Sequence, residues 1–458
     1  MPDTDIALMA HLMRRVGFGS TREELEALTA RNYESVVEDL LHPENSPDID
    51  EDIAQRYFGI RFGSKNQWIY RMVNSQRPLE EKIALFWHHV FATANTKASQ
   101  VPDQIDMFRR NGLSHLKTIL TDLSKDPAMV FWLDNNENVN GEPNENYGRE
   151  LLELFSMGVG NYSEDDIKHA ARAFTGWTIT QPIPEYPTNQ GRSVFVYRED
   201  QHDDDTKTFL GQSGNFNGEE IIDIVVRQEA TARFISRHLY NFFVADEPQV
   251  PAWQLEAPQD PDAIDALMKT YFESDGEIRP MLRLLLNSDF FKEARFKRVK
   301  SPAELVAGVV KLVGTHRFPD PGIGSYGAAT MAMGQELMNP PTVEGWHTGR
   351  EWIDGGAMTE RINFAVSEVG DATRPGVAAI VNRLAEGGAS LSPEDFVDRC
   401  LDLVGPMTVG EATKTALVEH ANAGGVLGFA TDSEREASTD RAVRLLQLIV
   451  STGEFQFA

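Results

Sequence analysis

The sequence predicts a mainly α protein: a large multi-helix body with a small β hairpin or three-stranded patch and a helical C-terminal part. Three observations predict it. Apolar residues recur at helical spacing through most of the chain, helix-start signals precede several of these stretches, and strand-like runs are scarce. Helical spacing covers residues 21–31, 33–41, 114–124, 146–157, 229–244, 262–271, 279–294 and 303–313. Residues 78–91 open with Pro78 at a first-turn position, then Glu80 and Glu81, the charge a helix start favours. Ser163 and Asp166 form a capping-box pattern ahead of residues 164–177. The strand-like runs are 177–180, 193–197 and 206–210. Pro182, Pro184 and Pro187 make 181–192 a surface loop. Residues 244–261, with Pro248, Pro251, Pro258 and Pro261, read as a connecting segment. A break at 370–375 separates a helical main domain, 1–369, from a C-terminal helical part, 370–458, packed on it.

Composition bounds the class. The chain has 458 residues, 41% hydrophobic and 25% charged, the balance of a folded soluble protein. Asp plus Glu number 70 against 43 Lys plus Arg, a formal net charge of −27. That sign argues against nucleic acid or anionic lipid as a general partner. No stretch approaches the ~20 apolar residues of a membrane span. Cys400 is the only cysteine, so neither an internal disulfide nor a cysteine-rich zinc site can form. The first residues lack the basic start, apolar middle and cleavage site of a secretory signal, and the expected location is cytoplasmic.

Several stretches carry residues capable of chemistry. In LFWHHVF, His88 lies opposite the stripe formed by Leu79, Ile83, Phe86, Trp87 and Val90, near Glu81. An imidazole there is either an acid/base group or ligand, or a core histidine bonded to a carbonyl. His89 is assigned a structural or exposed place. The run from Asp134 to Glu145 puts oxygen side chains at calcium-loop positions, with Asp134, Asn136, Asn138 and Glu145 as candidate ligands; Val139 stands where that loop needs glycine. In NYGRELLELF, Glu150 and Glu153 share a helix face beside Arg149, an arrangement that serves acid/base work or a metal, or simply pairs with nearby bases. His202 and Asp203 open an acidic loop at the start of a strand. Trp346, His347, Arg350 and Trp352 are candidates for a sugar or peptide groove, or for a loop plugged onto the core. No serine-hydrolase elbow, P-loop or dinucleotide fingerprint is present.

These strings together resemble an uncharacterised bacterial family, domain of unknown function 1800. The matching pieces are HLMRRVGFGST, RPLEEKIALFWHHVFAT, the long DPAMVFWLDNNENVNGEPNENYGRELLELFSMGVGNYSEDDIKHAARAFTGW block, HDDDTKTFLGQSGNFNGEEII, KSPAELVAG, NPPTVEGW and EFQ. Members carry a second histidine two places after the first; here that place is Val90. The resemblance implies a sulfatase-like partner protein and, for many members, export.

Two functional expectations follow. The first is a hydrolase-like enzyme with a His/carboxylate site of His88, Glu150, Glu153, His202, Asp203 and Arg149, with a divalent cation (calcium or a transition metal) as cofactor and a polar polymer such as a glycan as substrate. The second is a non-catalytic binding or scaffold protein whose motif charges form a structural ion-pair network.

Overall fold

The computed structural model describes residues 2–50, 63–180, 192–386, 388 and 390–458. The loop expected at 181–192 lies outside the described residues except for Arg192. The protein is mainly α, with 22 helices and three small two-stranded sheets among the described residues. None of these helices is long and apolar enough to cross a membrane.

The chain divides into two compact units. One comprises Met1–Lys82, Asp289–Leu337 and His347–Ala458; the other comprises Ile83–Ser288 and Met338–Trp346. The border expected at 369/370 matches neither. Residues 370–458 belong with the N-terminal helices, because Gly355–Val369 packs on both Pro302–Val313 and Asp432–Val450. The punctuation at 370–375 marks a turn between packed helices and not a domain edge.

The first unit is built around Pro302–Val313, which packs on Gly63–Asn74, Tyr326–Ala332, Gly355–Val369 and Pro375–Glu386. It is buried nearly all round. Its valines disfavour a helix intrinsically, and burial overrides that small preference. Ser301 and Glu304 form the capping box, and Gly314 closes the C-terminus at φ 71°. Glu304 also accepts from Arg298 Nη1 at 2.7 and 2.8 Å and from Lys82. Burial opposes its charge, but Arg298 and Lys82 hold its carboxyl well below the usual range. Lys82, fully buried, is pushed down to about 8 by that burial against the pull of Glu304. Cys400 lies inside the helix Pro393–Val404, where burial pushes its thiol up.

The second unit stacks Glu229–Phe243 on Pro261–Glu273, that helix on Ile278–Asn287, and Asn146–Glu153 on Glu164–Ala173. The expected strands pair differently from a three-stranded patch. Trp177–Ile179 pairs with Phe195–Tyr197, while Lys207–Phe209 turns back on Gln212–Gly214. Leu210 and Gly211 both take positive φ, which gives the tight hairpin its turn. A third pair, Ser390–Leu391 with Leu427–Gly428, lies in the first unit.

Several helix bounds differ from expectation. The stretch 279–294 splits into Ile278–Asn287 and Asp289–Lys292, because Ser288 is extended at ψ 156°. The stretch 146–157 stops at Glu153, where Phe155 N returns to Glu150 O and Ser156 Oγ donates to Leu151 O.

Candidate acidic site in the second unit

Asn146–Glu153 buries Tyr147, Leu151 and Leu152 and turns Glu150 and Glu153, one turn apart, away from that stripe. Tyr162 Oη donates to Glu153 Oε2 at 2.9 Å. Burial and then the charge of Glu153 push the Glu150 carboxyl up to about 7, against a pull from Arg149 and with a smaller push from Glu344. Glu344 comes from the distant segment Met338–Trp346. Asn95 N donates to Met338 O at 2.8 Å and Thr96 N to Asn339 Oδ1 at 3.0 Å, which pins the start of that segment.

Its far end is held by histidines. Trp346, 3% exposed, meets the His88 ring edge-on, with centroids 5.3 Å apart, and lies parallel to His89. Gly345 makes this possible. It sits at φ +90°, and a Cβ there would fall 2.6 Å from His89 O and 2.8 Å from His89 Nδ1. His88 is fully buried, and burial followed by the nearby His89 pushes it down to about 3, so it is neutral. His238, on Glu229–Phe243, is held well below the usual range by burial first, with His89 and Arg237 adding to it. Its ring packs on Phe234 and Trp253 at 4.5 and 4.6 Å.

A hollow of about 390 Å³ opens beside this group, with Glu153, Glu344, Asn161, Arg233, Phe234 and Trp253 in its wall. Arg237 lies over the Trp253 ring at 4.7 Å and is clamped by Glu247 at 2.7 Å, which fixes the indole. The arrangement supplies a carboxyl that keeps its proton near neutral pH, two further carboxylates, and an aromatic wall.

The structure brings together only part of the expected site. Glu153 lines the hollow, Glu150 lies one helical turn before it outside that lining, and His88 supports the group through Trp346. Arg149 turns outward and pairs with Glu164 at 2.9 Å and Glu145 at 3.2 Å. Asp203 receives Arg172 Nε and Nη2 at 2.7 and 3.0 Å, and His202 Nδ1 lies 2.9 Å from Thr175 O. Asp203 fastens the acidic loop to the helix Glu164–Ala173 through Arg172, and His202 ties it to Thr175 just beyond that helix.

Three of the four expected calcium ligands, Asp134, Asn138 and Glu145, are likewise engaged within the fold. Asp134 takes Lys97 Nζ at 2.7 Å, and Glu145 takes Arg149. Asn138 is buried, donates to Ala171 O at 2.9 Å and accepts from Asn144 N at 2.9 Å. Asn136 accepts from Thr178 Oγ1 at 3.4 Å with its backbone carbonyl only, and its side-chain Oδ1 is shielded and meets no hydrogen-bond donor among the described residues. The loop is folded by its own asparagines, as polar loops often are. Among the described residues, no three His, Cys, Asp or Glu side chains group so as to hold a metal ion.

Sequence reasoning missed Glu344, His238 and Tyr162; His89, expected to be structural or exposed, packs on Trp346. Glu344 lies inside NPPTVEGW, one of the strings that carried the family resemblance, and that was its signal. Trp346 is buried, whereas His347, Arg350 and Trp352 border a hollow of the first unit.

No curated protein and no solved structure matches the chain. A family model matches residues 11–457, nearly the whole chain. The chain therefore belongs to the family described as "Protein of unknown function (DUF1800)".

Proposed function

We propose that the acidic hollow is the site of a hydrolase acting on a polar polymer such as a glycan. The observation that carries this reading is Glu150, whose carboxyl keeps its proton up to about 7 beside Glu153. A carboxyl that holds its proton, one helical turn from a second carboxyl, is an arrangement that suits an acid and base pair. Glu150 would protonate the leaving oxygen, and Glu153, oriented by Tyr162, would take the proton of the attacking water. Trp253 offers a flat apolar face for a sugar ring, and Arg233 offers donors for its hydroxyls.

These steps are written with side chains alone. A sulfatase-like partner and a cytoplasmic setting remain part of the reading. The first rests on the family resemblance, the second on the solitary cysteine.

The test is release of reducing ends from a panel of polysaccharides. Glu150→Gln and Glu153→Gln are each expected to slow turnover by roughly 10²–10⁴-fold. If the protein cleaves members of the panel and both variants match it, the site assignment is wrong. If it cleaves none, the hydrolase reading fails.

A second reading, a binding or scaffold protein, is favoured by one observation. Arg149, Asp203 and Asp134 are each neutralised by a neighbour in the fold. Polysaccharide binding without cleavage, abolished by Trp253→Ala, would support it.

A further inference from the structure

The first unit holds an unusual core of cations. Arg14, on the helix Pro2–Val16, donates from Nη1 to Gly405 O at 2.7 Å. Its Nε and Nη2 atoms are shielded from solvent and meet no hydrogen-bond acceptor among the described residues. Those two atoms form one edge of the guanidinium, the edge that grips an oxyanion with two parallel bonds. A hollow of about 70 Å³ opens beside Arg14, and Lys300, Lys311 and Glu304 share its wall. That space exceeds what one water needs.

The charges around this hollow balance only in part: Lys311 pairs with Glu24 at 3.6 Å, and Ala458, which carries the terminal carboxylate, is in the wall, but neither meets the Arg14 edge. Glu304 is the one acidic side chain in its wall among the described residues, and its oxygens are committed to Arg298, Lys82 and Ser301 N. Lys300 Nζ donates to Phe455 O at 2.7 Å and lies over the Phe455 ring, neither of which supplies a negative charge. Arg361, fully buried, donates to Gln456 Oε1 and Lys300 O at 2.8 Å each and keeps Nη1 without an acceptor among the described residues. Burial, followed by the proximity of Arg14 and Arg361, depresses the proton affinity of Lys300. An anion in the hollow would relieve that repulsion and give the Arg14 edge its acceptors.

We propose that this hollow binds one small inorganic oxyanion of the phosphate or sulfate type, held edge-on by Arg14 Nε and Nη2 with Lys300 beside it. The site is independent of the acidic hollow and of any hydrolytic role.

The full chain, dialysed into buffer without phosphate or sulfate, is titrated with sodium phosphate and separately with sodium sulfate. Ionic strength is held constant with sodium chloride. The expected result is a saturable rise in melting temperature and a one-site heat at millimolar concentration. Arg14→Lys keeps the charge but not the edge, and is expected to weaken the oxyanion roughly tenfold or more, the loss of a charged hydrogen bond. Lys300→Gln is expected to weaken it too, and serves if the Arg14 variant does not fold. Phosphate and sulfate stabilise many proteins by exclusion from the surface, an effect that does not saturate. A rise without saturation, or an Arg14→Lys protein that binds as the wild type does, would overturn the proposal.

Discussion

The indole of Trp346 lies parallel to the imidazole of His89, with ring centroids 6.3 Å apart and planes 10° apart. Two residues earlier in the same segment, Glu344 adds its charge to the environment of Glu150. The ring pair therefore anchors the segment that delivers the third carboxylate. Distant parts of the chain meet in this way through one glycine-tight turn.

Gly345→Ala tests that anchor. A Cβ would strike His89 and would also need a backbone conformation that alanine adopts poorly. A stability loss of about 1–3 kcal/mol is expected, together with lower activity from displacement of Glu344. Urea denaturation of the variant and of the wild type measures the first. An unchanged midpoint would show that the turn is not constrained.

The raised proton affinity of Glu150 sets a pH dependence. Its folded value, about 7, exceeds the ordinary 4.5, so the folded state binds the proton more tightly than the unfolded chain does. Its contribution to stability is full below about pH 4.5 and is lost as pH rises through about 7. Glu150→Gln should therefore lose less stability than the wild type between those limits. Melting temperatures across the range would reveal it, and parallel curves would contradict it.

Asp126 shows the same logic at a helix start. It caps Pro127–Trp132 by accepting from Met129 N at 3.0 Å, and it accepts from the buried Gln104 at 2.8 Å. Burial pushes its carboxyl up to about 7. Asp126→Ala removes the cap, at about 1 kcal/mol, and orphans Gln104, at a further ~1–3 kcal/mol. Asp126→Asn can keep both bonds without the buried charge, so it should equal or exceed the wild type above pH 7. Chemical denaturation at pH 8 separates the two substitutions.

Glu304→Gln should be the most damaging single change in the first unit. It removes the buried carboxylate that Lys82 and Arg298 share, a loss of about 3–5 kcal/mol. Lys82→Met removes one cation while Arg298 still holds Glu304, and should be milder. A reversal of that order in thermal melts would mean Lys82, not Glu304, is the centre of the network.

The helical character was legible because apolar spacing is a local property, and Ser163 and Asp166 close the capping box their spacing implied. The breaks were harder. Nothing apolar distinguishes Ser288 from its neighbours, yet its extended backbone divides a helix. The helix Gly355–Val369 escaped notice because two glycines open it, although Asp354 caps it. At the site, Glu150 and Glu153 were readable from one helix face. Their partner Glu344 lies far along the chain, and only packing brings it near. Asp203 and Arg149 looked equally reactive in sequence because a local ion pair and an active carboxylate share the same letters.

The solitary thiol of Cys400, sealed inside the helix Pro393–Val404, gives the molecule a built-in clock. A thiol reagent can mark each chain once, and only when that region opens. Labelling rates below the denaturation midpoint would then time the opening of the region around Cys400, with no dye or engineered probe added.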